Sequence, residues 1–289
     1  MNAILQAVKD HWPEFLIEAW GLGTFMVSAC LFGVIIFHPD SYLAEYSTSL
    51  RNIPMGIAMG LTAVGIFKSP WGKRSGAHIN PVVTLTFLRL GKIARMDALF
   101  YVIFQFIGAT LGVLVAWLLL GDLLAAKEVN FLPTVPGHFG VAAAFAGETV
   151  IAFLMMSMVL YTSNHAKLHK FTPYFAGLFV AIYIAVESPV SGMSMNPART
   201  LGSAIVGNTW TAWWIYFTAP AIAMLAAAEV YVRTRGLRSV LCAKFDHTST
   251  VRCIFNCRFG EMNVENGDAS ARIEVTKHPQ MFRTISGIF

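Results

Sequence analysis

Six long apolar stretches, separated by short polar segments, dominate the pattern of residues along the chain. Each approaches or exceeds the ~17 to 25 residues that cross a ~30 Å hydrocarbon core. They lie near positions 15–37, 52–67, 98–120, 140–162, 171–187 and 211–232. The first stretch is too long, and its charged flank too weak, for a cleavable signal peptide, so we expect it to stay in the mature protein. The pattern predicts an all-α membrane protein with six transmembrane helices.

Two polar motifs interrupt this pattern and resemble each other. The segment SGAHINPVVT at 75–84 is echoed by SGMSMNPART at 191–200, with Ser, Gly, Asn, Pro and Thr at matching places. A glutamate inside an apolar span, Glu18 in the first half and Glu148 in the second, precedes each motif by one further span. Because each half has three spans, the second copy enters from the opposite side of the membrane. The predicted inverted repeats cover about residues 12–120 and 138–233.

Each Asn-Pro pair opens an apolar segment that is too short to cross the membrane. The segments VVTLTFLRLG and ARTLGSAIVG have roughly ten residues, which in a helix cover ~15 Å. Asn80 and Asn196 suit the cap before the first helical residue. Pro81 and Pro197 suit the first helical position, where a missing N–H costs nothing. We therefore predict two half-helices that enter from opposite faces and meet near the midplane as a seventh pseudo-span.

The composition agrees with a membrane protein and indicates its orientation. The chain has 289 residues, of which 56% are hydrophobic and 13% charged, whereas soluble domains carry roughly 25% charged residues. Lys and Arg accumulate in cytoplasmic loops, so the net charge of +5 indicates orientation and no nucleic-acid partner. The basic residues cluster in three connections, as Lys68, Lys73, Arg74, Arg89, Lys92 and Arg95, then Lys167 and Lys170, then Arg233, Arg235 and Arg238. Both termini are predicted to be cytoplasmic.

Residues 234–289 form a polar segment without a span, after a membrane domain predicted at 1–233. The alternating stretch VRCIFNCRF is typical of a strand. His247, Cys253 and Cys257 are weak zinc candidates, because Cys-x3-Cys is not a standard spacing; an ordinary packed strand without a metal is the favoured interpretation. A disulfide is not expected in a reducing compartment. From the size of the tail alone, we hypothesise that it blocks the cytoplasmic side of the membrane domain.

Together these features resemble the aquaporin family, the major intrinsic proteins, over about residues 12–233. The resemblance rests on six spans, inverted duplication, Glu18 and Glu148, and the motifs SGAHINPV and SGMSMNPART. It implies six helices plus two half-helices, one pore per chain, a homotetramer in the plasma membrane, no enzymatic activity and no cofactor. Val82 departs from the alanine that is usual after the first Asn-Pro, and we expect a tolerated packing variant.

The resemblance also assigns residues to a pore. Its signature residues would be Asn80, Pro81 and Val82 in the first motif and Asn196, Pro197 and Ala198 in the second. Arg199 matches the family's filter arginine, and an arginine at membrane depth is by default functional. Offsets from Asn196 give Met193 and Ile184 as filter residues. The fourth is Met59, or Gly60 if the segment KSPWGKR lacks an inserted residue.

The resemblance implies structural tasks for three further residues. Glu18 and Glu148 would accept hydrogen bonds from the non-helical backbone that leads into each motif, although membrane carboxylates also serve as proton carriers. His78 is expected to line the pore or anchor the loop, because no second metal ligand lies at helical spacing.

Two substrates and two other classes of protein stay open from the sequence. The apolar rim fits either an unusual water channel or a wider pore for glycerol, peroxide or ammonia. Tyr216 and Phe217 favour water, because glycerol channels usually have proline at the first of these positions. A coupled transporter would need a titratable group where this chain has Asn80 and Asn196. An occluded structural membrane protein is the remaining alternative.

Overall fold

A computed structural model describes residues 3–248 and 251–260. Within them, the chain is helical and no strand occurs. The helices are α1 (Ala3–Phe37), α2 (Thr48–Lys68), α3 (Pro70–Ser75), α4 (Pro81–Arg89), α5 (Arg95–Leu120), α6 (Asp122–Ala125), α7 (Gly140–Ser163), α8 (Thr172–Ser191), α9 (Pro197–Gly207) and α10 (Ile215–Arg235). The described part contains six helices long and apolar enough to cross a membrane, namely α1, α2, α5, α7, α8 and α10. The predicted all-α fold with six spans is confirmed.

The helix α1 begins 12 residues before the predicted apolar stretch, at Ala3 instead of position 15. Its first turns carry polar side chains that hydropathy does not count, and these make contacts beyond the span. His11 Nδ1 lies 2.8 Å from Asp97 Oδ1, and Arg74 Nε donates to Glu14 Oε1 over 2.9 Å. The helix therefore continues past the apolar stretch, held by polar contacts to neighbouring segments.

The two halves of the chain repeat the same order of elements. In each half a glutamate-bearing helix, a second helix, a half-helix and a third helix follow one another, as α1, α2, α4 and α5 and then α7, α8, α9 and α10. The helix α1 packs against α5, α7 against α10, and α2 against α8 across the two halves. We call the side at which α2, α7 and α10 end the tail face and the opposite side the far face.

Small residues let the paired helices approach closely. A Cβ added at Gly108 of α5 would lie 2.2 Å from the carbonyl oxygen of Ala19 in α1, and one at Gly60 of α2 would lie 2.6 Å from Gly177 O in α8. Helix association in lipid depends on such backbone approach, because burial of apolar surface gives no driving force there. These glycines therefore set the distance between helices around the pore.

We expect Gly108→Leu to lower the thermal stability of the detergent-solubilised protein. The new side chain must push α1 away from α5, and overpacking of this kind costs roughly 1 to 3 kcal/mol. Gly65→Leu is the matched control, because no atom lies within 4 Å of a Cβ at Gly65. Equal unfolding midpoints for the two variants, measured by fluorescence-detected size exclusion after heating, would contradict the packing role of Gly108.

After α10 the chain folds back across the tail face. The Leu241 N–H donates to Asn164 Oδ1 over 2.6 Å, and the Asn256 N–H donates to the carbonyl oxygen of Lys92 over 2.9 Å. The predicted strand at VRCIFNCRF is wrong, since residues 251–258 form neither helix nor strand. Its backbone bonds to connecting loops of the helical domain rather than to a partner strand. The predicted tail beyond residue 260 lies outside the described residues.

Candidate pore and tail contacts

A cavity of about 700 Å³ runs between the helices and reaches both half-helix tips. On α2 its lining follows one helical stripe, Asn52, Met55, Met59, Ala63 and Phe67. On α8 the corresponding stripe is Ala176, Val180, Ile184 and Ser188. The predicted residues Asn80, Asn196, Met59, Ile184, Met193, Arg199 and His78 all line the same cavity. Pro81, Val82, Pro197 and Ala198 are buried beside it in the first turns of α4 and α9.

Asn80 and Asn196 cap the two half-helices as the sequence predicts. Asn80 Oδ1 accepts the Val82 N–H over 2.9 Å, and Asn196 Oδ1 accepts the Ala198 N–H over 3.1 Å. Each side-chain amide also donates across the pseudo-twofold axis, from Asn80 Nδ2 to Met195 O over 2.8 Å and from Asn196 Nδ2 to Ile79 O over 2.7 Å. An amide nitrogen carries two hydrogens, so each Asn keeps one donor for the cavity.

The loops that lead into the two tips have the same unusual backbone. Ala77 and Ile79 in the first loop, and Met193 and Met195 in the second, have φ values of 52°, 39°, 47° and 54°. This left-handed conformation is uncommon for residues other than glycine. It aims the Ile79 and Met195 carbonyls at the opposite Asn. This conformation could not be predicted from residue type, since bulky Ile and Met disfavour it.

Glu18 accepts the hydrogen bonds that the first of these loops cannot make within a helix. Its Oε1 accepts hydrogen bonds from Ser75 Oγ (2.7 Å) and the His78 N–H (3.1 Å). Its Oε2 accepts from the Ile79 N–H (2.6 Å) and Gln105 Nε2 (2.7 Å). The side chain is completely buried. All four acceptor directions are used, which agrees with the structural task expected of this residue.

Glu148 occupies the equivalent place in the second half. Its Oε1 accepts from Ser191 Oγ over 2.8 Å and from the Ser194 N–H over 2.7 Å, and its Oε2 accepts from the Met195 N–H over 2.7 Å. The two glutamates therefore hold the two left-handed loops by the same contacts. The inverted repeat extends to individual hydrogen bonds.

Arg199 lies near the far face, where a loop fixes its guanidinium. Its Nη1 donates to the carbonyl oxygen of Leu132 over 2.8 Å. Leu132 ends a run of three residues, with Asn130 and Phe131, that all have positive φ. Leu132 could not be selected from the sequence, because its contribution is a backbone carbonyl.

The register of α2 against α8 decides which residue shares a level with Ile184. Gly56 lies against Ala181 and Gly60 against Gly177. The two helices are therefore antiparallel, and moving one residue forward along α2 corresponds to moving one residue backward along α8. Ile184 is therefore level with residue 53, between Asn52 and Met55. Met59 lines the cavity about 9 Å deeper, at ~1.5 Å per residue.

The same contacts place Gly60 against α8 and away from the cavity. Sequence offsets place Met59 at the filter by assuming one inserted residue in KSPWGKR. That segment forms the helix α3, and Met59 lines the cavity, so its place in the filter stays a prediction.

His78 is held from both sides and contacts the tail. Its Nδ1 lies 3.1 Å from Thr84 Oγ1, and its Nε2 lies 3.0 Å from the carbonyl oxygen of Ala243. The ring stacks between Phe87 and Phe255, with centroid distances of 5.2 and 5.3 Å. His78 thus anchors the loop, as expected, but its partner in the tail is a contact that the sequence did not reveal.

The tail also reaches the end of the cavity. Phe245 belongs to the cavity lining at the tail face, with its ring centroid 5.3 Å from that of Phe67. Asp246 Oδ2 lies 2.8 Å from Lys68 Nζ and 3.7 Å from Lys73 Nζ. Burial raises the pKa of Asp246, but the bonds from Lys68 and Thr248 outweigh it and leave the pKa below its usual value. Phe245 is therefore anchored by a charged neighbour.

Four potential metal ligands come together in the tail. The weak candidates His247, Cys253 and Cys257 meet Cys242, which sequence reasoning missed, and all four ligand atoms lie within 4.8 Å of one another. Cys242 Sγ lies 3.5 Å from Cys253 Sγ, and His247 Nε2 lies 3.1 Å from Cys257 Sγ. The one sequence signal for Cys242 is its position five residues before His247.

Six spans, two opposed half-helices and a shared cavity define a passive membrane channel built on inverted repeats. The family model for the major intrinsic proteins matches residues 6–231. The chain therefore belongs to the major intrinsic protein family, and the predicted resemblance is confirmed. This family consists of passive channels for water and small solutes, which confirms the predicted function at that level.

Individual relatives agree with this assignment. Aquaporin NIP1-2 of Arabidopsis thaliana is 34% identical over 63% of this chain and 62% of its own length, which is less than two thirds of that relative. Aquaporin NIP1-1 of the same plant is 34% identical over 81% of this chain and 77% of its own length. The X-ray structure of the aquaglyceroporin from Plasmodium falciparum has 18% identity and a TM-score of 0.63, and covers 77% of this chain and 96% of that one. The last match shows the shared fold.

Proposed function

We propose that each chain forms one pore for water and other small uncharged solutes, with a filter near the far face and a proton barrier at the Asn pair. The observation that carries the proposal is the paired arrangement of Asn80 and Asn196. Each has one amide hydrogen left for a solute, and both line the same cavity. The donors thus converge on one place, where a passing water must offer its oxygen.

The half-helices supply the electrostatic part of this barrier. The N-termini of α4 and α9 each carry roughly half a positive charge, and both point at the Asn pair. A water molecule held there by two donors cannot donate back along the pore, which interrupts proton transfer. Positive dipole ends and lining donors are known determinants of selectivity in channels of this kind. Neither tip residue can titrate, which disfavours a coupled transporter.

We place the filter at Met59, Ile184, Met193 and Arg199, all of which line the cavity. The helices α2 and α8 are antiparallel, and helical side chains lean toward their own N-terminus, so the side chains of Met59 and Ile184 lean toward each other. Arg199 supplies donors and a positive charge, and the other three side chains are apolar and offer no acceptor for a solute. Methionine is also flexible. These properties favour a rim that admits glycerol-sized solutes besides water, the second candidate substrate class.

The chain is further proposed to lie in the plasma membrane as a homotetramer, with both termini cytoplasmic and no enzymatic activity. The basic residues support this orientation, because Lys68, Arg74 and Arg89 belong to the tail face and Lys and Arg collect on the cytoplasmic side. Channel-forming relatives support a transport function without chemistry. The tail face is accordingly the proposed cytoplasmic mouth.

Stopped-flow light scattering on proteoliposomes tests this proposal. Vesicles with the full chain should shrink faster than protein-free vesicles under an osmotic gradient, because a pore lowers the barrier to water. The measurement should include Phe245→Ala, since Phe245 lies across one end of the cavity. No excess water or solute flux in either protein would contradict the channel.

Met193→Gly tests the filter. Removing the side chain widens the rim, so glycerol flux should rise several-fold relative to water flux in the same vesicles. Met158→Gly on α7 is a matched control, because Met158 does not line the cavity. Equal ratios of glycerol to water flux in the two variants would place the narrowest point away from Met193.

A further inference from the structure

The four-residue cluster in the tail has the composition and dimensions of a closed metal site. Zinc with Zn–S and Zn–N bonds of ~2.3 and ~2.0 Å makes a tetrahedron whose ligands lie about 3.5 to 3.8 Å apart. The Cys242–Cys253 and His247–Cys257 distances of 3.5 and 3.1 Å, with every other pair within 4.8 Å, come close to this figure without a metal. Three Cys and one His are a standard ligand set for structural zinc.

The described part of the tail around these ligands has no helix or strand to stabilise it, so a metal would contribute more to its stability than to that of a regular element. Residues 240–248 and 251–258 form neither helix nor strand. Nevertheless Val240, Ala243, Phe245 and Phe255 are buried against the helical domain. A short irregular segment repays little of its ordering entropy by itself, and metal binding supplies folding free energy in such cases.

We propose that Cys242, His247, Cys253 and Cys257 bind one Zn²⁺ ion and that this ion holds the tail in the mouth of the pore. Cys242 and His247 bracket Phe245, so a metal that joins them closes a short loop with Phe245 at its tip. The other two ligands flank Phe255, which stacks on His78. The contacts of Phe245 with Phe67 and of Phe255 with His78 therefore lie between zinc ligands.

The metal acts as a clamp because it stabilises one position of the tail. A ligand shifts a conformational equilibrium toward the state that it binds more tightly. Zinc requires all four ligands together, and these are together when Phe245 lies at the end of the cavity. The metal site does not depend on the proposed channel function. The effect of the metal on flux does rest on that function.

Metal content tests the site itself. Full-chain protein purified with zinc and passed through a desalting column should contain one zinc per chain by mass spectrometry of the metal. Cys253→Ser and Cys257→Ser should each lose most of it, whereas Cys30→Ser should retain it, because Cys30 lies in α1 away from the cluster. Wild-type protein loaded with Co²⁺ should show the visible absorption of a tetrahedral thiolate site. A zinc-free wild type, or a Cys242–Cys253 disulfide in protein purified under nitrogen, would overturn the site.

Water flux tests the clamp. Proteoliposomes of the zinc-loaded wild type should pass water several-fold faster after a membrane-permeant zinc chelator, and added zinc should restore the slow rate. Chelation should change neither Cys253→Ser nor protein-free vesicles. Bound zinc with the same flux before and after chelation would overturn the clamp. Cysteine-dependent zinc without excess flux in any form would support the metal site and contradict the proposed channel instead.

Discussion

Glu18→Gln should lower the thermal stability of the protein strongly and reduce its water flux. Glutamine replaces one of the two acceptor oxygens with a donor. Either Ser75 Oγ and the His78 N–H, or the Ile79 N–H and Gln105 Nε2, then face an NH₂ group. In either orientation one backbone N–H, that of His78 or of Ile79, loses its acceptor, whereas the Ser75 hydroxyl can accept from the new NH₂ group. A buried donor without a partner costs about 1 to 3 kcal/mol.

The flux should fall because the loop positions the pore donors. Ile79 has a left-handed backbone and its carbonyl accepts the amide of Asn196. If the Ile79 N–H loses Glu18, Ile79 is no longer held in its left-handed conformation. Rotation about its φ and ψ then moves its carbonyl away from Asn196, and the Asn pair loses its alignment. Gln105 can rotate to relieve its own contact, but the Ile79 N–H is fixed to the backbone.

Glu229→Gln provides the control for this substitution. Glu229 is a half-exposed residue of α10 that pairs with Arg89 Nη2 at 2.7 Å, and exposed pairs of this kind contribute about 0 to 1 kcal/mol. Unfolding midpoints in detergent and water flux in vesicles would be compared for both variants. If Glu18→Gln unfolded at the same temperature as Glu229→Gln, the buried carboxylate would not be an essential acceptor.

The fold could be predicted from the sequence because its main signals are local. A span shows itself by apolar length, and a half-helix by Asn-Pro followed by about ten apolar residues. The repeat of these signals in both halves then fixed the inverted arrangement. The glutamates followed from the same repeat, since Glu18 and Glu148 each precede a motif by one span.

The rest of the site depends on contacts that local patterns do not encode. Leu132 offers only its backbone carbonyl to Arg199. Every residue type has this group, so the contact cannot be predicted from the residue type. The face of α2 that lines the cavity depends on the close approach of Gly56 and Gly60 to α8. The pattern of VRCIFNCRF indicated a strand because its cysteines and phenylalanines occupy every second position, and three of the four residues between or before them are polar. Their alternation instead serves contacts with the channel domain and the metal cluster.

The energies make a metal-held tail plausible as a switch. Moving a two-state equilibrium from almost fully open to almost fully closed takes about 5.5 kcal/mol of differential binding. Structural zinc sites in small domains contribute roughly 10 to 16 kcal/mol at neutral pH. The whole exceeds the ~5.5 kcal/mol that the shift requires, so a zinc ion that prefers the docked tail by about a third to a half of its binding free energy would keep Phe245 in place.

Phe245→Ala should open the pore while leaving the metal in place. The substitution removes the ring that packs on Phe67 at the end of the cavity but none of the four ligands. Water flux should therefore rise several-fold over the zinc-loaded wild type and become insensitive to chelation, since the clamp would hold a tail that no longer blocks the mouth. Zinc content should stay at one per chain.

Phe171→Ala distinguishes the blocking ring from a general loss of aromatic packing at the tail face. Phe171 lies at that face just before α8 and is exposed, outside the cavity lining. Its loss should change neither flux nor zinc content. If Phe245→Ala kept its zinc and conducted no faster than Phe171→Ala, the constriction would lie elsewhere. The apolar rim of Met59, Ile184 and Met193 would then limit flux, because zinc would hold the tail beside an already open mouth.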